Sequence, residues 1–199
     1  MTAGEADFET AALAKAALRN ARLAARDAIA TSDRIEKSLT IAAHGRAAIR
    51  PVSGDVISCF LPIRSEVDLR PLMLSFAGEG ARLCLPAILD KETIVFREYR
   101  PDAELVSMGF GTFGPAAHEA VLEPAVMLVP LSAFDATGQR IGYGGGYYDR
   151  AIHRMREKGL HPKLIGIAFD CQEVASVPAE PHDIRLDAIL TESGYRPFA

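Results

Sequence analysis

The chain has 199 residues, of which 49% are hydrophobic and 24% are charged, and this length fits one domain better than two. The composition is that of an ordinary globular protein, which excludes a disordered tail, a collagen-like fibre and a disulfide-stapled miniprotein. The formal net charge of −4 supplies no overall basic field for nucleic acid or an anionic membrane. An anionic ligand would therefore need a local cluster of cations.

The sequence shows no pattern of a targeting or membrane segment. Residues 1–8 are acidic and do not resemble a secretion signal, and no apolar run approaches the ~18–20 residues that span a bilayer. The three cysteines, Cys59, Cys84 and Cys171, are odd in number and widely spaced, which is typical of a reducing compartment. We therefore expect a cytoplasmic protein without a membrane or nucleic-acid partner, and a monomer.

Helices and short apolar strands alternate along the chain. Residues 6–29 are rich in alanine and predict a first helix, and a capping box at residues 32–36 predicts a second helix that Gly45 would end. A β-rich run at 55–62 precedes a helix at 69–76. Further strands are predicted at 82–86, 94–97, 125–130, 164–169 and 188–191, with another helix near 147–158.

These strands are apolar without polar alternation, so both of their faces should be buried, and the helices between them imply βαβ crossovers. We therefore expect a single α/β domain over residues 1–199 with a largely parallel central sheet. Ligands bind at the carboxyl ends of strands in such folds, and Pro62, Pro86 and Pro130 mark three such ends. The glycine-rich stretch at 109–115 is either a domain boundary or a mobile loop over a site.

Four glycines fall within residues 142–146, between the strand ending at Pro130 and the helix predicted near 147–158. Backbone amides of such a loop can converge on phosphate oxygens ahead of a positive helix N-terminus. The loop is neither a P-loop nor a GxGxxG motif, because residue 147 is tyrosine. A flexible turn is the alternative, but the flanking Arg140, the tyrosines and Asp149 favour a ligand site.

Three acidic positions toward the end of the chain are candidates for chemistry. Asp149 should lie in the first turn of its helix, where an acid either complements the helix dipole or holds Mg²⁺ beside a phosphate. Asp187 is a plausible second metal ligand, or else a strand-edge acid. His182 and Asp183 could form an acid–base pair, but an exposed turn is favoured because no Ser or Cys nucleophile motif accompanies them.

The first predicted helix carries a stripe of cations. Lys15, Arg19, Arg22 and Arg26 follow one another at helical spacing, so they share one face. A solvated face is the alternative, but the stripe has few neighbouring acids to neutralise it. We therefore expect this face to be available for an anion.

Four motifs in this order resemble the 5-formyltetrahydrofolate cyclo-ligase (5,10-methenyltetrahydrofolate synthetase) family. They are Lys15-x-x-x-Arg19, Phe60-Leu-Pro-Ile-Arg-Ser-Glu66, Arg140-x-Gly-x-Gly-x-Gly-Tyr-Tyr-Asp149, and His182-Asp183 followed by Asp187 and Thr191-Glu192. The resemblance implies a three-layer α/β/α sandwich and an enzyme of folate one-carbon metabolism. Such a ligase uses Mg-ATP to convert 5-formyltetrahydrofolate to 5,10-methenyltetrahydrofolate, with ADP and phosphate as products.

The resemblance also implies roles for individual residues. Mg²⁺ would bind at Asp149 and Asp187, and Arg140 and Asp149 would serve catalysis. Folate would contact Leu61, Glu66 and the loop residues Tyr143, Gly144, Gly145, Gly146 and Tyr147. ATP would contact Lys15, Arg19, Arg140, Ile141, Gly142, Tyr143, Gly144, Gly145, Gly146, Tyr147 and Tyr148.

The chain departs from its relatives at two places. Some relatives have a lysine in the glycine loop where this chain has Gly145, so phosphate charge would rest more on the arginines, Lys15 and the metal. Many relatives have a tryptophan in the pterin pocket, but this chain has none. Met108, Phe110 or Phe113 would take its place, and residues 108–115 are the candidate lid.

The implied reaction transfers the γ-phosphoryl group of ATP to the formyl oxygen, after which N10 closes the ring and phosphate leaves. Two other functions stay open. One is a regulatory module that senses ATP without turning it over, and the other is a sugar-phosphate or CoA-type enzyme on a similar scaffold. Glu66 and the Tyr147-Tyr148 pair favour the cyclo-ligase, because a purely nucleotide-sensing loop needs neither.

Overall fold

The computed structural model describes residues 3–109, 111–180 and 183–198, with side chains from residue 12 onward. The helices are α1 (Ala3–Asp27), α2 (Thr31–Ala48), α3 (Arg70–Gly78) and α4 (Tyr147–Glu157). The strands are β1 (Val56–Ser58), β2 (Arg82–Ile88), β3 (Ile94–Tyr99), β4 (Leu105–Gly109), β5 (Thr112–Pro115), β6 (Val126–Pro130), β7 (Ala133–Asp135), β8 (Arg140–Ile141), β9 (Lys163–Ile167), β10 (Glu173–Val174), β11 (Ala188–Thr191) and β12 (Gly194–Pro197).

The central sheet has seven strands in the order β12-β11-β9-β6-β1-β2-β3. The five inner strands are parallel to one another, and the edge strands β12 and β3 pair antiparallel with β11 and β2. The largely parallel sheet that the sequence predicts is therefore confirmed. From β1 the chain goes first to β2 on one side and later to β6 on the other. This reversal leaves a crevice outside the carboxyl ends of β1 and β6, where ligands bind in open α/β sheets.

Helices cover both faces of the sheet. On one face α2 and α3 bury Ile41 and Phe76 in a cluster that includes Leu128 of β6. On the other face α4 buries Ile152 beside Met127, the neighbour of Leu128 on the same strand. Successive side chains of a strand point to opposite faces, so one apolar strand serves two cores. The result is the expected three-layer α/β/α sandwich.

Two sequence signals for the helix ends were wrong. Gly45 lies inside α2, which continues to Ala48. A Cβ at Gly45 would lie 2.8 Å from Cδ2 of Leu72, so this glycine serves the close approach of α3 and not the end of the helix. The capping box is also absent, because α2 begins after Ala30 with no side-chain cap, and the Ser32 hydroxyl donates to Asp33 instead.

The stretch predicted as a boundary or loop is a β-hairpin. Strands β4 and β5 pair antiparallel, with Val106 opposite Gly114. A Cβ at Gly114 would lie 2.8 Å from the carbonyl oxygen of Pro86, so the hairpin packs closely on β2. Phe110 lies outside the described residues. None of the described helices is both long and apolar enough to cross a bilayer.

Candidate active site

A cleft of about 510 Å³ opens at the carboxyl ends of β1, β2 and β6. Its wall is mostly apolar, with a few polar groups that converge on it, as is typical of a small-molecule site. The apolar wall includes Phe60, Leu61, Pro86, Ile88, Ile94, Phe113 and Pro130. The polar part comprises Arg19, Glu66, Arg140, Asp149 and much of the glycine loop. The cleft thus lies at the crevice that the strand order creates.

The glycine loop leads from β8 into α4 in a conformation that requires glycine. Gly144 has φ +96° and Gly146 has φ +63°, and both values lie in the region that side chains disfavour. A Cβ at Gly146 would lie 2.6 Å from Nη1 of Arg150. Within the described part of the chain, the amides of residues 143–147 donate to no protein acceptor. The positive end of α4 therefore presents a row of donors suited to an anion.

Arg19 supports this loop from α1. Its Nε donates to the carbonyl oxygen of Gly142 at 2.8 Å, and its guanidinium lies 3.6 Å from the position of a Cβ at Gly144. The structure therefore brings Arg19 to the loop as the sequence predicts. The guanidinium lines the cleft beside the free amides, where it adds a positive charge.

Lys15 lies one helical turn before Arg19 on α1, and it faces acids. Its Nζ forms ion pairs with Glu180 at 2.5 Å and Asp183 at 2.6 Å. Burial lowers the pKa of Lys15, but the hydrogen bonds to Asp183 and Glu180 raise it more, so the net shift is upward. The expectation of a stripe without acidic partners is therefore wrong at Lys15, because those partners come from far along the chain.

Arg140 and Asp149 form an ion pair in the cleft wall. Arg140 Nη2 donates to Asp149 Oδ1 at 2.8 Å, and its other terminal nitrogen donates to the carbonyl oxygen of Ile184. The backbone N–H of Ile184 also donates to Asp149 Oδ1, at 3.3 Å. Asp149 lies in the first turn of α4, as predicted, and its side chain remains 31% exposed. It can therefore still reach a cation in the cleft.

Asp187 lies elsewhere. It directly precedes β11 and its Oδ2 accepts a hydrogen bond from the backbone N–H of Leu164 at 2.6 Å, so it sits at the amino ends of the parallel strands. Asp149 lies at the opposite, carboxyl end. The structure does not bring the two predicted metal ligands together, and we correct that pairing. Asp183, expected in an exposed turn, is part-buried against Lys15, and His182 lies outside the described residues.

The residues present still fit Mg²⁺ beside a phosphate. No group of three or more His, Cys, Asp or Glu side chains that could hold a metal occurs within the described ranges. Mg²⁺ does not require such a group, because it takes one or two carboxylates and completes its shell with phosphate and water. Asp149, part-exposed in a cleft beside unpaired amides, meets that need with one carboxylate.

Glu66 forms the centre of a buried polar network. Its Oε1 accepts a hydrogen bond from the Tyr143 hydroxyl at 2.5 Å, and its Oε2 accepts one from the backbone N–H of Ile63 at 2.9 Å. Arg26 of α1 lies behind this pair and donates to the Tyr143 hydroxyl at 2.6 Å. The network joins the loop after β1 to the glycine loop. Sequence reasoning identified Glu66 and Tyr143 but missed the contact between them.

Burial dominates the electrostatics of this network. It raises the pKa of Glu66, while the Tyr143 hydroxyl, the Ile63 N–H and the charge of Arg26 lower it, and the net shift is upward. Burial also raises the pKa of Tyr143, and the neighbouring Glu66 carboxylate raises it further. Tyr143 therefore stays a hydroxyl donor at neutral pH.

The two tyrosines at the start of α4 have different surroundings. The Tyr147 hydroxyl donates to the carbonyl oxygen of Asp90 at 3.4 Å, which ties the loop to the β2–β3 turn. The Tyr148 ring packs against Phe96 with centroids 6.3 Å apart, and its buried hydroxyl has no partner among the described residues. Ile141 is buried in a small core with Ala133, so its side chain does not face the cleft.

Comparisons with known proteins agree with this architecture. The model of the 5-formyltetrahydrofolate cyclo-ligase family matches residues 11–192 of the chain. The 5-formyltetrahydrofolate cyclo-ligase of Escherichia coli (strain K12) is 34% identical over 148 residues, which cover 71% of this chain and 80% of that protein. The cyclo-ligase of Haemophilus influenzae is 29% identical over 161 residues, which cover 78% of this chain and 84% of that protein.

Two solved structures extend the comparison to the fold. The 5,10-methenyltetrahydrofolate synthetase of Aquifex aeolicus superposes with a TM-score of 0.76 at 28% identity, covering 92% of each chain. The synthetase of Mycoplasma pneumoniae superposes with a TM-score of 0.72 at 24% identity, covering 89% of this chain and 98% of that one, which supports the fold alone. On the family match and the E. coli relative, the chain belongs to the 5-formyltetrahydrofolate cyclo-ligase family.

Proposed function

We propose that the protein is a 5-formyltetrahydrofolate cyclo-ligase that uses Mg-ATP to form 5,10-methenyltetrahydrofolate, ADP and phosphate. One observation carries the proposal beyond family membership. A loop of unpaired amides at the start of α4 and the buried carboxylate of Glu66 share one cleft and touch through Tyr143, at 2.5 Å from hydroxyl to carboxylate. A nucleotide on the loop amides and a ring with N–H donors at Glu66 would thus lie side by side, as a transfer between two substrates requires.

We assign the two substrates to the two halves of the cleft. The pterin would lie against the apolar wall that includes Leu61 and Ile88, where Glu66 can accept hydrogen bonds from the ring's amino and amide N–H groups. The triphosphate of ATP would lie along the amides of residues 143–147, with Arg19 at its side. The apolar wall offers few partners to a charged group, so the triphosphate fits the side of the loop amides better.

The formyl group on N5 is amide-like, so its carbon is a weak electrophile and its oxygen a poor leaving group. In the proposed reaction the formyl oxygen attacks the γ-phosphorus and displaces ADP, which leaves a phosphorylated iminium carbon. N10 then attacks that carbon and loses its proton, and departure of phosphate leaves the methenyl bridge. Bound Mg²⁺, held by Asp149, would neutralise charge on the phosphates. The loop amides and Arg19 would hold the phosphoryl group in line.

No covalent enzyme intermediate is needed in this scheme, and the cysteines support that view. Burial raises the pKa of the Cys84 thiol to about 12, and burial likewise raises the pKa of Cys59. A thiol attacks as its thiolate, so neither residue is a ready nucleophile. Phe113 on the β4–β5 hairpin lines the cleft and is 55% exposed. We propose that this hairpin covers the substrates and keeps water from the phosphoryl group.

The test mixes the protein with 5-formyltetrahydrofolate, ATP and Mg²⁺ and follows the absorbance of the methenyl product. We expect product only when all three are present, with one ADP formed for each methenyl group. Binding of ATP without product or ADP would indicate the nucleotide-sensing module instead. ADP formation without the methenyl product would indicate a different acceptor, as for a sugar-phosphate or CoA-type enzyme.

A pair of glycine variants tests the proposed phosphate-binding loop in the same assay. Gly146→Ala strains the loop backbone at φ +63° and displaces the Arg150 guanidinium, whose Nη1 lies 2.6 Å from the position of the new Cβ, so we expect the KM for ATP to rise at least about tenfold. Gly159→Ala carries a similar backbone strain at φ +79° but meets nothing within 4 Å and lies after α4, away from the cleft. It should leave the KM unchanged, since strain at a distant turn costs stability only.

A further inference from the structure

We infer that Arg26 is a positioning residue, which holds the glycine loop against the folate side of the cleft without itself touching either substrate. This inference rests on the proposed function. Arg26 lies on α1 and is 1% exposed, and it is not among the described residues that line the cleft. Its effect on the reaction therefore has to pass through other side chains.

Three segments of the chain meet at the Arg26 guanidinium. Nη1 donates to the Tyr143 hydroxyl at 2.6 Å, and Nε donates to the Ser65 hydroxyl at 3.0 Å. Nη1 also lies 4.0 Å from Oε1 of Glu66, and the Ser65 hydroxyl donates to Asp27, the neighbour of Arg26 on α1. One cation thus ties α1 to the loop after β1 and to the glycine loop.

The energetics of this contact favour a role in geometry over a role in stability. A buried guanidinium loses its hydration, and an apolar side chain of similar size often serves stability as well or better. Arg26 moreover keeps one terminal nitrogen, Nη2, buried without a partner among the described residues. A buried donor without a partner costs free energy, so a gain in stability does not explain an arginine at this position.

Arg26 acts on Tyr143, a side chain of the glycine loop that also contacts Glu66 in the loop after β1. The Tyr143 hydroxyl accepts from Arg26 and donates to Glu66, so two partners fix its position. The backbone on either side is built from glycine, with Gly144 at φ +96°, and cannot hold the loop in place by itself. Without Arg26, the Tyr143 hydroxyl loses one of its two hydrogen-bond partners. The loop amides that we propose bind ATP and the Glu66 carboxylate that we propose binds the pterin should then both shift from their positions.

The first experiment compares Arg26→Met with Arg22→Met in the methenyl assay. Arg22 lies one turn away on the same helix and donates to the carbonyl oxygen of Cys171, so its variant removes the same charge without touching Tyr143. For Arg26→Met we expect the KM for ATP and the KM for 5-formyltetrahydrofolate each to rise about tenfold, with kcat reduced less than about threefold. Arg22→Met should stay within about twofold of wild type in all three. A fall in melting temperature and active fraction with both KM values unchanged would overturn the inference.

The second experiment tests the contact itself. Tyr143→Phe keeps the ring and removes the hydroxyl, so it should reproduce the KM changes of Arg26→Met. The double variant should be no worse than the worse single variant, because both changes break the same contact between Arg26 and Tyr143, whereas additive effects on KM would refute the link. Arg26→Lys, which keeps the charge, should recover part of the loss, and it replaces Arg26→Met in the cycle if that variant does not fold.

The wild type separates this inference from the proposed function. If wild-type protein makes no methenyl product, the proposed function fails and the role of Arg26 fails with it. If wild-type protein is active and Arg26→Met keeps both KM values, only the inference about Arg26 fails.

Discussion

Replacing Glu66 with glutamine tests the folate side of the site most directly. Glutamine has nearly the same shape, so its carbonyl oxygen can still accept the Tyr143 hydroxyl that donates to Oε1 at 2.5 Å. The amide nitrogen then takes the place of Oε2 and faces the Ile63 N–H, which donates to Oε2 at 2.9 Å in the native chain. Two N–H donors then face each other, and the negative charge that we propose faces the pterin N–H groups is gone.

The size of the effect follows from what Glu66→Gln removes. A hydrogen bond to a charged group contributes about 1.5–3 kcal/mol, and about 1.4 kcal/mol is a factor of ten in binding. We therefore expect the KM for 5-formyltetrahydrofolate to rise about tenfold or more. The KM for ATP should change little, because the contact with Tyr143 survives. The fold should survive too, since burial leaves the pKa of Glu66 above its ordinary value, and a neutral side chain avoids the cost of that buried charge.

Steady-state kinetics with each substrate varied in turn decide the matter. Glu157→Gln is the matched control, because its side chain is 62% exposed on α4 and the charge change is the same. An unchanged folate KM in Glu66→Gln would refute the assignment and leave Glu66 a structural partner of Tyr143. A rise in the ATP KM of equal size would show that the variant disturbs the glycine loop instead.

Three further variants test other parts of the site and the fold. Asp149→Asn should keep the fold but lose most turnover at low Mg²⁺, because an amide is a poor ligand for a hard cation, and a Mg²⁺ titration equal to wild type would contradict the metal assignment. Arg19→Ala should raise the KM for ATP about tenfold by losing its bond to Gly142, and isothermal titration with ATP measures it directly. Asp135→Asn should lower the free energy of unfolding by about 2 kcal/mol at pH 7. Burial raises the pKa of Asp135, but hydrogen bonds from Thr137, Val177 and Gln139 lower it more. The contribution of the Asp135 carboxylate to the free energy of unfolding should therefore shrink as the pH falls below the ordinary range of an aspartate. Urea unfolding of wild type and Asp135→Asn at pH 7 and pH 3 would show the smaller difference at pH 3.

The elements that carry a strong periodic or apolar pattern were predictable from the sequence. The runs at 125–130 and 188–191 are continuous apolar stretches, and they form β6 and β11 with bounds close to those predicted. Short strands with weaker patterns were not predicted. β7, β8 and β10 have three residues or fewer, and such strands exist only because they pair with one another in a small sheet.

The glycines show the same limit of prediction from the sequence. The sequence shows where a glycine is, but it does not show whether the residue serves a turn or a close contact. Gly45 is predicted to end one helix and Gly146 to precede another, yet Gly45 lies inside α2 against Leu72 and Gly146 caps α4 with φ +63°. Only the packing of α3 on α2 distinguishes the two roles. Tertiary contact, not local propensity, decides such positions.

The acids near the end of the chain show that a sequence motif does not establish which residues meet in a site. Asp183 and Asp187 are four residues apart, and an extended segment of that length spans about 13 Å. Asp187 ends beside Leu164 at the amino end of the sheet, whereas the segment at 183–184 reaches Asp149 through the Ile184 N–H. Spacing along the chain therefore cannot tell which acid shares a site with Asp149.

The cations of α1 do not form one anion site, because they pair with residues far away along the chain. Arg19 reaches the glycine loop, Arg26 reaches Tyr143, and Lys15 reaches Glu180 and Asp183. Residues on one helical face share a direction, but the surface they meet changes along the helix. These three cations therefore fasten α1 to two different segments, the glycine loop and residues 180–183. Two of those contacts fall on the glycine loop, so α1 holds in place the loop that we propose binds phosphate. Of these three cations, Arg19 is the one that lines the cleft and supplies a charge there.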